Sequence, residues 1–349
     1  MLYRKLGRTG IDVSLIGLGT MTFGQQNTQD EGFAQMDHAL DQGINFFDTS
    51  ELYSIPPKPE TAGSTERIIG NWFAARGNRD KVILATKAVG RSIMTWFRKD
   101  GSPGRITRAQ LTEALDGSLA RLQTDYIDLY QLHWPDRATP FGANPTRYVK
   151  ADFDGDGAPM HETLGILQDF VTAGKIRHIG VSNESAWGVM RFIGESNARK
   201  LPRVQSVQNA YNLLNRTFDV ALAEVSMRER VSLIAYSPLA QGFLTGKYLD
   251  GGRPPGARST LFDRGQRYEL AGTNEAVKAY LGVAKQFGLD PCQMAIAFVN
   301  AQPFVAVNLI GATTMEQLKS DISAVDLTLS PEVMAALDAV HQLHGNPAP

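Results

Sequence analysis

The sequence predicts a (β/α)8 barrel, and three observations carry that prediction. Short apolar runs recur at 15–19, 44–48, 82–87, 126–132, 176–181, 204–208, 231–236 and 305–310. Most are continuously apolar, as strands covered on both faces must be. Amphipathic stretches of helical period lie between them, at 29–42, 64–76, 107–122, 160–173, 184–195, 217–229 and 314–324. Such alternation requires parallel pairing through right-handed crossovers, and eight strands is the number that closes into this barrel. An open doubly wound sheet is the alternative. It is weakened because Gly17-Leu18-Gly19-Thr20-Met21-Thr22, after the first run, lacks the third glycine of a dinucleotide-binding turn.

Taken in order, residues 2–14, broken by Gly7 and Thr9-Gly10, read as a short hairpin ahead of the barrel. Thr107 with Gln110 and Thr314 with Gln317 have capping-box spacing, and Gly43, Gly77, Gly174 and Gly288 fit helix ends. Three segments, 49–63, 134–160 and 237–271, exceed an ordinary strand-to-helix loop. Each follows a strand, so a barrel gathers all three at its catalytic end. The stretch from Trp134 to Pro159, rich in Pro, Gly and Asp, is expected to be a lid or substrate-shaping loop, the alternative being a passive surface insertion. No linker, low-complexity tract or repeat divides the chain, so a single domain over 1–349 is expected.

Composition excludes several functions. Among 349 residues, 35 Lys and Arg face 36 Asp and Glu, a formal charge of -1 that provides no field for nucleic acid or an anionic membrane. One cysteine, Cys292, rules out an internal disulfide framework and a cysteine-based zinc site, and suits a reducing compartment. The opening Met1-Leu2-Tyr3-Arg4-Lys5-Leu6 lacks the apolar core of a signal peptide, and no apolar run is long enough to span a bilayer. A soluble cytoplasmic protein is the expectation.

The candidate site emerges from polar residues at strand ends. In Gly43-Ile44-Asn45-Phe46-Phe47-Asp48 a strand delivers a carboxylate at Asp48, and Tyr53 follows in the loop before Ile55-Pro56-Pro57-Lys58-Pro59. The run Val82-Ile83-Leu84-Ala85-Thr86 ends in Lys87, and Tyr126-Ile127-Asp128-Leu129-Tyr130-Gln131-Leu132 ends in His133. Side chains at corresponding strand ends converge on the barrel mouth. Each alone could be a structural ion pair or a satisfied core histidine; together on one scaffold they form a catalytic set. Lys87 beside Tyr53 would lower the phenol pKa, Asp48 would keep Lys87 charged, and a neutral His133 would hydrogen-bond a carbonyl oxygen. This set polarises and protonates a carbonyl but supplies no electron pair, so a hydride donor is required.

At this point the sequence resembles the aldo-keto reductase superfamily over nearly its whole length. Asp48, Tyr53, Lys87 and His133 match that family's catalytic tetrad. Further matches are Gly19-Thr20-Met21-Thr22-Phe23-Gly24, Gly174-Lys175-Ile176-Arg177-His178-Ile179-Gly180-Val181-Ser182-Asn183, Tyr236-Ser237-Pro238-Leu239 and Ile310-Gly311-Ala312-Thr313-Thr314. Asn215-Arg216 and Leu244-Thr245-Gly246-Lys247-Tyr248 make it most similar to the bacterial Tas-like reductases.

The resemblance implies NADPH across the barrel mouth, with nicotinamide near Tyr53 and adenosine toward the last strand. Thr20, Met21 and Asp48 would border the nicotinamide. Ser182, Asn183 and Gln208 would offer partners to its carboxamide, with Tyr236 as a stacking face. Ser182-Asn183 could also cap the next helix. The pyrophosphate would meet the segment of Ser237, Leu239, Gln241 and Gly242, and the helix opening near Thr313. Lys247 and Arg258 match positions that contact the 2′-phosphate in related subgroups; the alternative is that both are solvated surface charges. Gly311, Ala312 and Gln317 stand where some relatives carry basic or hydroxyl residues, and Ser320-Asp321 replaces a common Glu-Asn pair near adenine.

The implied activity is reduction of an aldehyde or ketone to an alcohol by hydride from NADPH, with Tyr53 as proton donor. Phe23, Tyr53, His133 and Trp134 are expected to border the substrate. One alternative is a class I aldolase using Lys87 as a Schiff base. Another is a nucleotide-binding regulatory protein resembling potassium channel β subunits. The histidines at 38, 133, 161, 178, 341 and 344 show no strand-end H-x-H pair, so no metal is expected there. Asp152, Asp154 and Asp156 resemble a calcium loop but lack its closing Glu, and read as a solvated turn.

Overall fold

A hairpin of β1 (Tyr3–Lys5) and β2 (Asp12–Ser14) precedes the barrel in the computed structural model, which describes residues 1–139, 157–262 and 267–348. The barrel strands are β3 (Ile16–Gly19), β4 (Phe46–Asp48), β5 (Ile83–Ala88), β6 (Ile127–Leu132), β7 (Ile176–Ser182), β8 (Val204–Ala210), β9 (Ser232–Tyr236) and β10 (Val305–Ile310). All pair in parallel with their chain neighbours, and β10 returns to β3 to close the ring. Each strand overlaps its expected apolar run, giving the predicted (β/α)8 barrel.

The helices on the outside are α1 (Gln29–Asp41), α2 (Ser64–Arg76), α3 (Arg108–Leu122), α4 (Met160–Thr172), α5 (Ala186–Arg199), α6 (Leu222–Glu229), α7 (Arg258–Phe262), α8 (Thr273–Phe287), α9 (Pro291–Asn300), α10 (Met315–Ser323) and α11 (Pro331–His344). The expected helix at 217–229 is divided: a turn at Thr217–Asp219 precedes α6, and Ala221 at φ 67 breaks the run. The helices α7, α8, α9 and α11 were not expected from sequence. Signals for the last three are present: Asp290-Pro291 and Ser330-Pro331 set cap and first turn of α9 and α11, and Ala276, Val277, Tyr280, Val283 and Ala284 form the buried face of α8.

Capping also differs from the spacing. Thr107 and Thr314 accept the N–H of Gln110 and Gln317, but the Gln110 side chain turns to Arg105 N at 2.6 Å and that of Gln317 to Thr313 N at 3.0 Å. The reciprocal box forms instead at Thr28 and Glu31, with bonds of 3.3 and 2.8 Å.

Phe46, Ala85, Leu129, Ile234 and Val307 fill the barrel interior together with Leu6 and Val13 of the hairpin. The hairpin is fastened there by Arg4, whose guanidinium donates to the carbonyls of Asn300, Gln302 and Val305. Gly7 N–H donates to Ser232 Oγ at 2.8 Å and Arg8 N–H to Gln205 Oε1 at 2.9 Å. Inward apolar residues and this plug stop the N-terminal end, leaving chemistry to the opposite rim. Among the described residues, no helix is long and apolar enough to cross a membrane.

Candidate active site

The barrel brings Asp48, Lys87, Tyr53 and His133 together. Asp48 ends β4, Lys87 lies one residue before the end of β5, and His133 follows β6 with its N–H donating to Ala88 O at 2.8 Å. Tyr53 enters from the turn after β4, where its N–H donates to Ser50 O at 3.0 Å. Lys87 Nζ donates to Asp48 Oδ2, to Thr49 O at 2.8 Å and to the Tyr53 hydroxyl at 3.4 Å. The Tyr53 and His133 rings meet edge to face, 5.7 Å apart at 79°. Lys87 is fully buried under this group, so three side chains face the cleft and the fourth acts on them from beneath.

Two features that sequence reasoning missed hold the loops in place. Glu51 accepts Val89 N–H at 2.7 Å and forms a bidentate pair with Arg98, both bonds 2.9 Å, so the Tyr53 turn is clamped to the segment after β5. At Gly90 an added Cβ would lie 2.1 Å from Trp134 O, so only glycine lets the loops after β5 and β6 approach this closely. Trp134 Nε1 donates to Arg91 O at 2.6 Å across the same contact.

Electrostatics correct one expectation. Burial pushes the Tyr53 phenol pKa up, and the opposing pull of Lys87 does not overcome it. The anticipated lowering therefore fails, because a buried phenolate loses more hydration than one cation at this distance restores. Burial also works against the Lys87 charge, but Asp48 and Tyr53 outweigh it and the ammonium pKa rises. A lysine held charged lacks the lone pair for Schiff-base formation, which argues against the aldolase alternative. Burial, then the Lys87 cation, hold His133 well below the usual histidine range, so it is neutral near pH 7.

From this floor a cleft of about 1760 Å³ runs over the barrel mouth to Asp321. Thr20 and Met21 border it after β3, and the Thr20 hydroxyl donates to Asp48 O at 2.8 Å. Ser182, Asn183, Gln208 and Tyr236 line its centre and are tied together. Ser182 Oγ donates to Gln208 O at 2.8 Å, Tyr236 OH to Asn183 Oδ1 at 2.7 Å, and Asn183 Nδ2 to His133 O at 2.9 Å. The N-cap of α5 is Ser185, bonded to Gly188 N, which leaves Ser182-Asn183 to the cleft.

Ser237, Leu239, Gln241 and Gly242 form one wall. Gly242 has φ +95, so this turn favours glycine for its conformation, and the Lys247 side chain lies directly against it. Lys247 and Arg258 line the same side, with Arg258 donating to Met21 Sδ at 3.8 Å across the cleft. Gly311, Thr313, Gln317 and Asp321 complete the far end, where burial and Asp290 push the Asp321 carboxyl up to about 7.

One predicted residue is elsewhere. Phe23 is fully buried in the core against Gly32 and Ile68, beneath α1 and α2, and does not border the cleft as expected of a substrate wall. Trp134 does border it. Conversely, Arg267 lines the cleft and donates to Tyr236 OH at 3.2 Å; nothing local in the sequence marks it. Most of the expected lid, with Asp152, Asp154 and Asp156, lies outside the described residues. Among the described residues no group of three or more His, Cys, Asp or Glu is placed to hold a metal ion.

The sequence profile of the Aldo/keto reductase family matches residues 15–342. Protein tas of Escherichia coli is 50% identical over 100% of both chains. Uncharacterized oxidoreductase YrpG of Bacillus subtilis is 34% identical, covering 100% of this chain and 98% of its own. An L-glyceraldehyde 3-phosphate reductase of Escherichia coli is 32% identical, covering 97% of this chain and 92% of its own.

Proposed function

The chain belongs to the aldo/keto reductase family, and from that membership and the cleft floor we propose that it reduces an aldehyde or ketone to an alcohol, with NADPH as hydride donor and Tyr53 as proton donor. The observation that carries the reading is the contact of the Tyr53 hydroxyl with Lys87 at 3.4 Å, edge-on to His133, at the bottom of a cleft that both tyrosine and histidine line.

The residues present fit a nicotinamide dinucleotide phosphate. The Tyr236 ring and the amides of Asn183 and Gln208 suit a planar carboxamide-bearing ring beside Tyr53. The turn through Gln241 and Gly242 and the opening of α10 suit a pyrophosphate, and Lys247 with Arg258 suit a further phosphate. When bound, the nicotinamide would supply the hydride to the carbonyl carbon. Tyr53 and His133 would hold the carbonyl oxygen. As the C=O π pair moves onto that oxygen, the oxygen takes the Tyr53 proton, and the phenolate left behind is stabilised by Lys87. His133, neutral by burial, directs the oxygen without competing as an acid.

The proposal treats the chain as one domain acting on a small-molecule carbonyl, and its single cysteine, Cys292, suits a reducing cytoplasm. The test is titration with NADPH and NADH, then nucleotide oxidation with a panel of aldehydes and ketones, in wild type and Tyr53→Phe. Turnover lost in the variant with binding retained supports the reading. Tight nucleotide binding without turnover in wild type favours a regulatory role instead, and no nucleotide binding overturns both.

A further inference from the structure

Ser50 is fully buried, and its Oγ lies 3.1 Å from His133 Nδ1. We propose that Ser50 is a positioning residue: it donates its hydroxyl proton to Nδ1 and thereby fixes His133 as the Nε2–H tautomer, the form that donates to a carbonyl oxygen. The inference rests on the reductase reading of this site.

Hydrogen-bond accounting supports that direction. A serine hydroxyl has one proton and two acceptor lone pairs. One lone pair receives Leu52 N–H at 3.2 Å. The proton has two acceptors within reach, Lys87 O at 3.4 Å and His133 Nδ1 at 3.1 Å. Lys87 O already receives Glu51 N–H at 3.3 Å, whereas Nδ1 has no other partner among the described residues. The nearer, unserved acceptor takes the proton.

The reverse arrangement, with Nδ1–H donating to Ser50, presents a bare Nε2 lone pair to the lone pairs of a substrate oxygen, which repels rather than polarises. The doubly protonated ring is disfavoured by burial and by Lys87. The main chain that carries the ring is itself fixed, since His133 N–H donates to Ala88 O and His133 O accepts from Asn183. Ser50 also belongs to the turn that presents Tyr53, so one turn carries the proton donor and the group that orients its partner.

The tautomer is read directly by long-range ¹H–¹⁵N correlation of the full chain labelled with ¹⁵N-histidine, with His133→Gln identifying the resonance. The expected wild-type signature is a protonated Nε2 and an unprotonated, hydrogen-bonded Nδ1. In Ser50→Ala that signature moves toward a tautomer average and kcat falls about tenfold, with the NADPH dissociation constant unchanged; Ser50→Thr restores both. A wild-type ring protonated at Nδ1 overturns the proposal, as does a Ser50→Ala variant with an unaltered tautomer. Should Ser50→Ala fail to fold, the wild-type spectrum alone decides. An Nε2–H ring in an enzyme that reduces no carbonyl supports the assignment of the proton while overturning the reductase reading.

Discussion

Gln208 Nε2 donates to Asp48 Oδ1 at 2.8 Å, a contact between residues 160 positions apart in the chain. The other oxygen of the same carboxylate is taken by Lys87, so a neutral amide and a cation hold one buried acid from opposite sides. Removing the cation in Lys87→Met leaves that carboxylate unpaired, and stability should fall by about 3 to 5 kcal/mol. Adding Asp48→Asn to it should recover much of the loss in urea denaturation. A double variant as unstable as the single one would show that the loss comes from packing rather than from a stranded charge.

Tyr53→Phe should lower kcat by roughly a hundredfold to ten-thousandfold, the usual worth of a positioned general acid, while leaving nucleotide affinity near wild type. The phenylalanine ring keeps the contact of the Lys87 ammonium over the ring face, 4.8 Å from the centroid, and loses only the bond to the hydroxyl, so the pocket keeps its shape. Stopped-flow oxidation of NADPH against fluorescence titration separates the two quantities.

The pH profile follows from burial. The Tyr53 pKa lies above the ordinary phenol value, so the donor keeps its proton through neutral pH and the alkaline limb of kcat should begin only above about pH 10. His133 is held below its ordinary value, so the acid limb should begin only well below about pH 6.5. For stability the sign is set by the unfolded chain, which takes a proton on His133 where the native state does not. Stability from this residue is therefore present above about pH 6.5 and is lost as pH falls toward the depressed native value. A kcat profile with a limb at pH 7 would contradict the assignment.

Asp321 behaves in the opposite sense. Its carboxyl is pushed up to about 7, so the native state binds a proton that the unfolded state has released. Its contribution is present at acid pH and is lost as pH rises from the unfolded value near 4 through about 7. Asp321→Asn should therefore raise stability at pH 8 by a few kcal/mol, on the order of the shift, and change it little at pH 4. Thermal melting at the two pH values checks this.

Lys247→Glu combined with Arg258→Glu should weaken NADPH far more than NADH, because only the former carries the extra phosphate that these cations suit. Binding of both nucleotides by isothermal titration distinguishes this from a general loss of the wall, which would weaken the two equally.

The floor of the cleft is legible in sequence because strand ends are. Asp48, Lys87 and His133 each close an apolar run, and barrel geometry converts that position into a shared location without further information. Phe23 is not legible, since an aromatic beside the mouth reads the same whether it turns outward or, as here, inward into the space above Gly32. Arg267 and the pair of Glu51 with Arg98 are hidden for another reason. Their partners are chosen by how long segments fold back, which no local period encodes. The raised pKa of Tyr53 is not legible either, because a nearby cation is visible in a motif whereas the loss of hydration is visible only in packing.

The hairpin seated on Arg4 gives the molecule two poles under separate control. At one, Arg4 spans the carbonyls of Asn300, Gln302 and Val305 and touches nothing that reacts. At the other, Asp48, Lys87 and His133 are held by one another's strand ends and by Thr49, Ser50 and Gln208. Substitutions in the plug should tune heat tolerance with turnover unchanged, and loops on the far rim can be exchanged for new specificities while the plug holds the staves together.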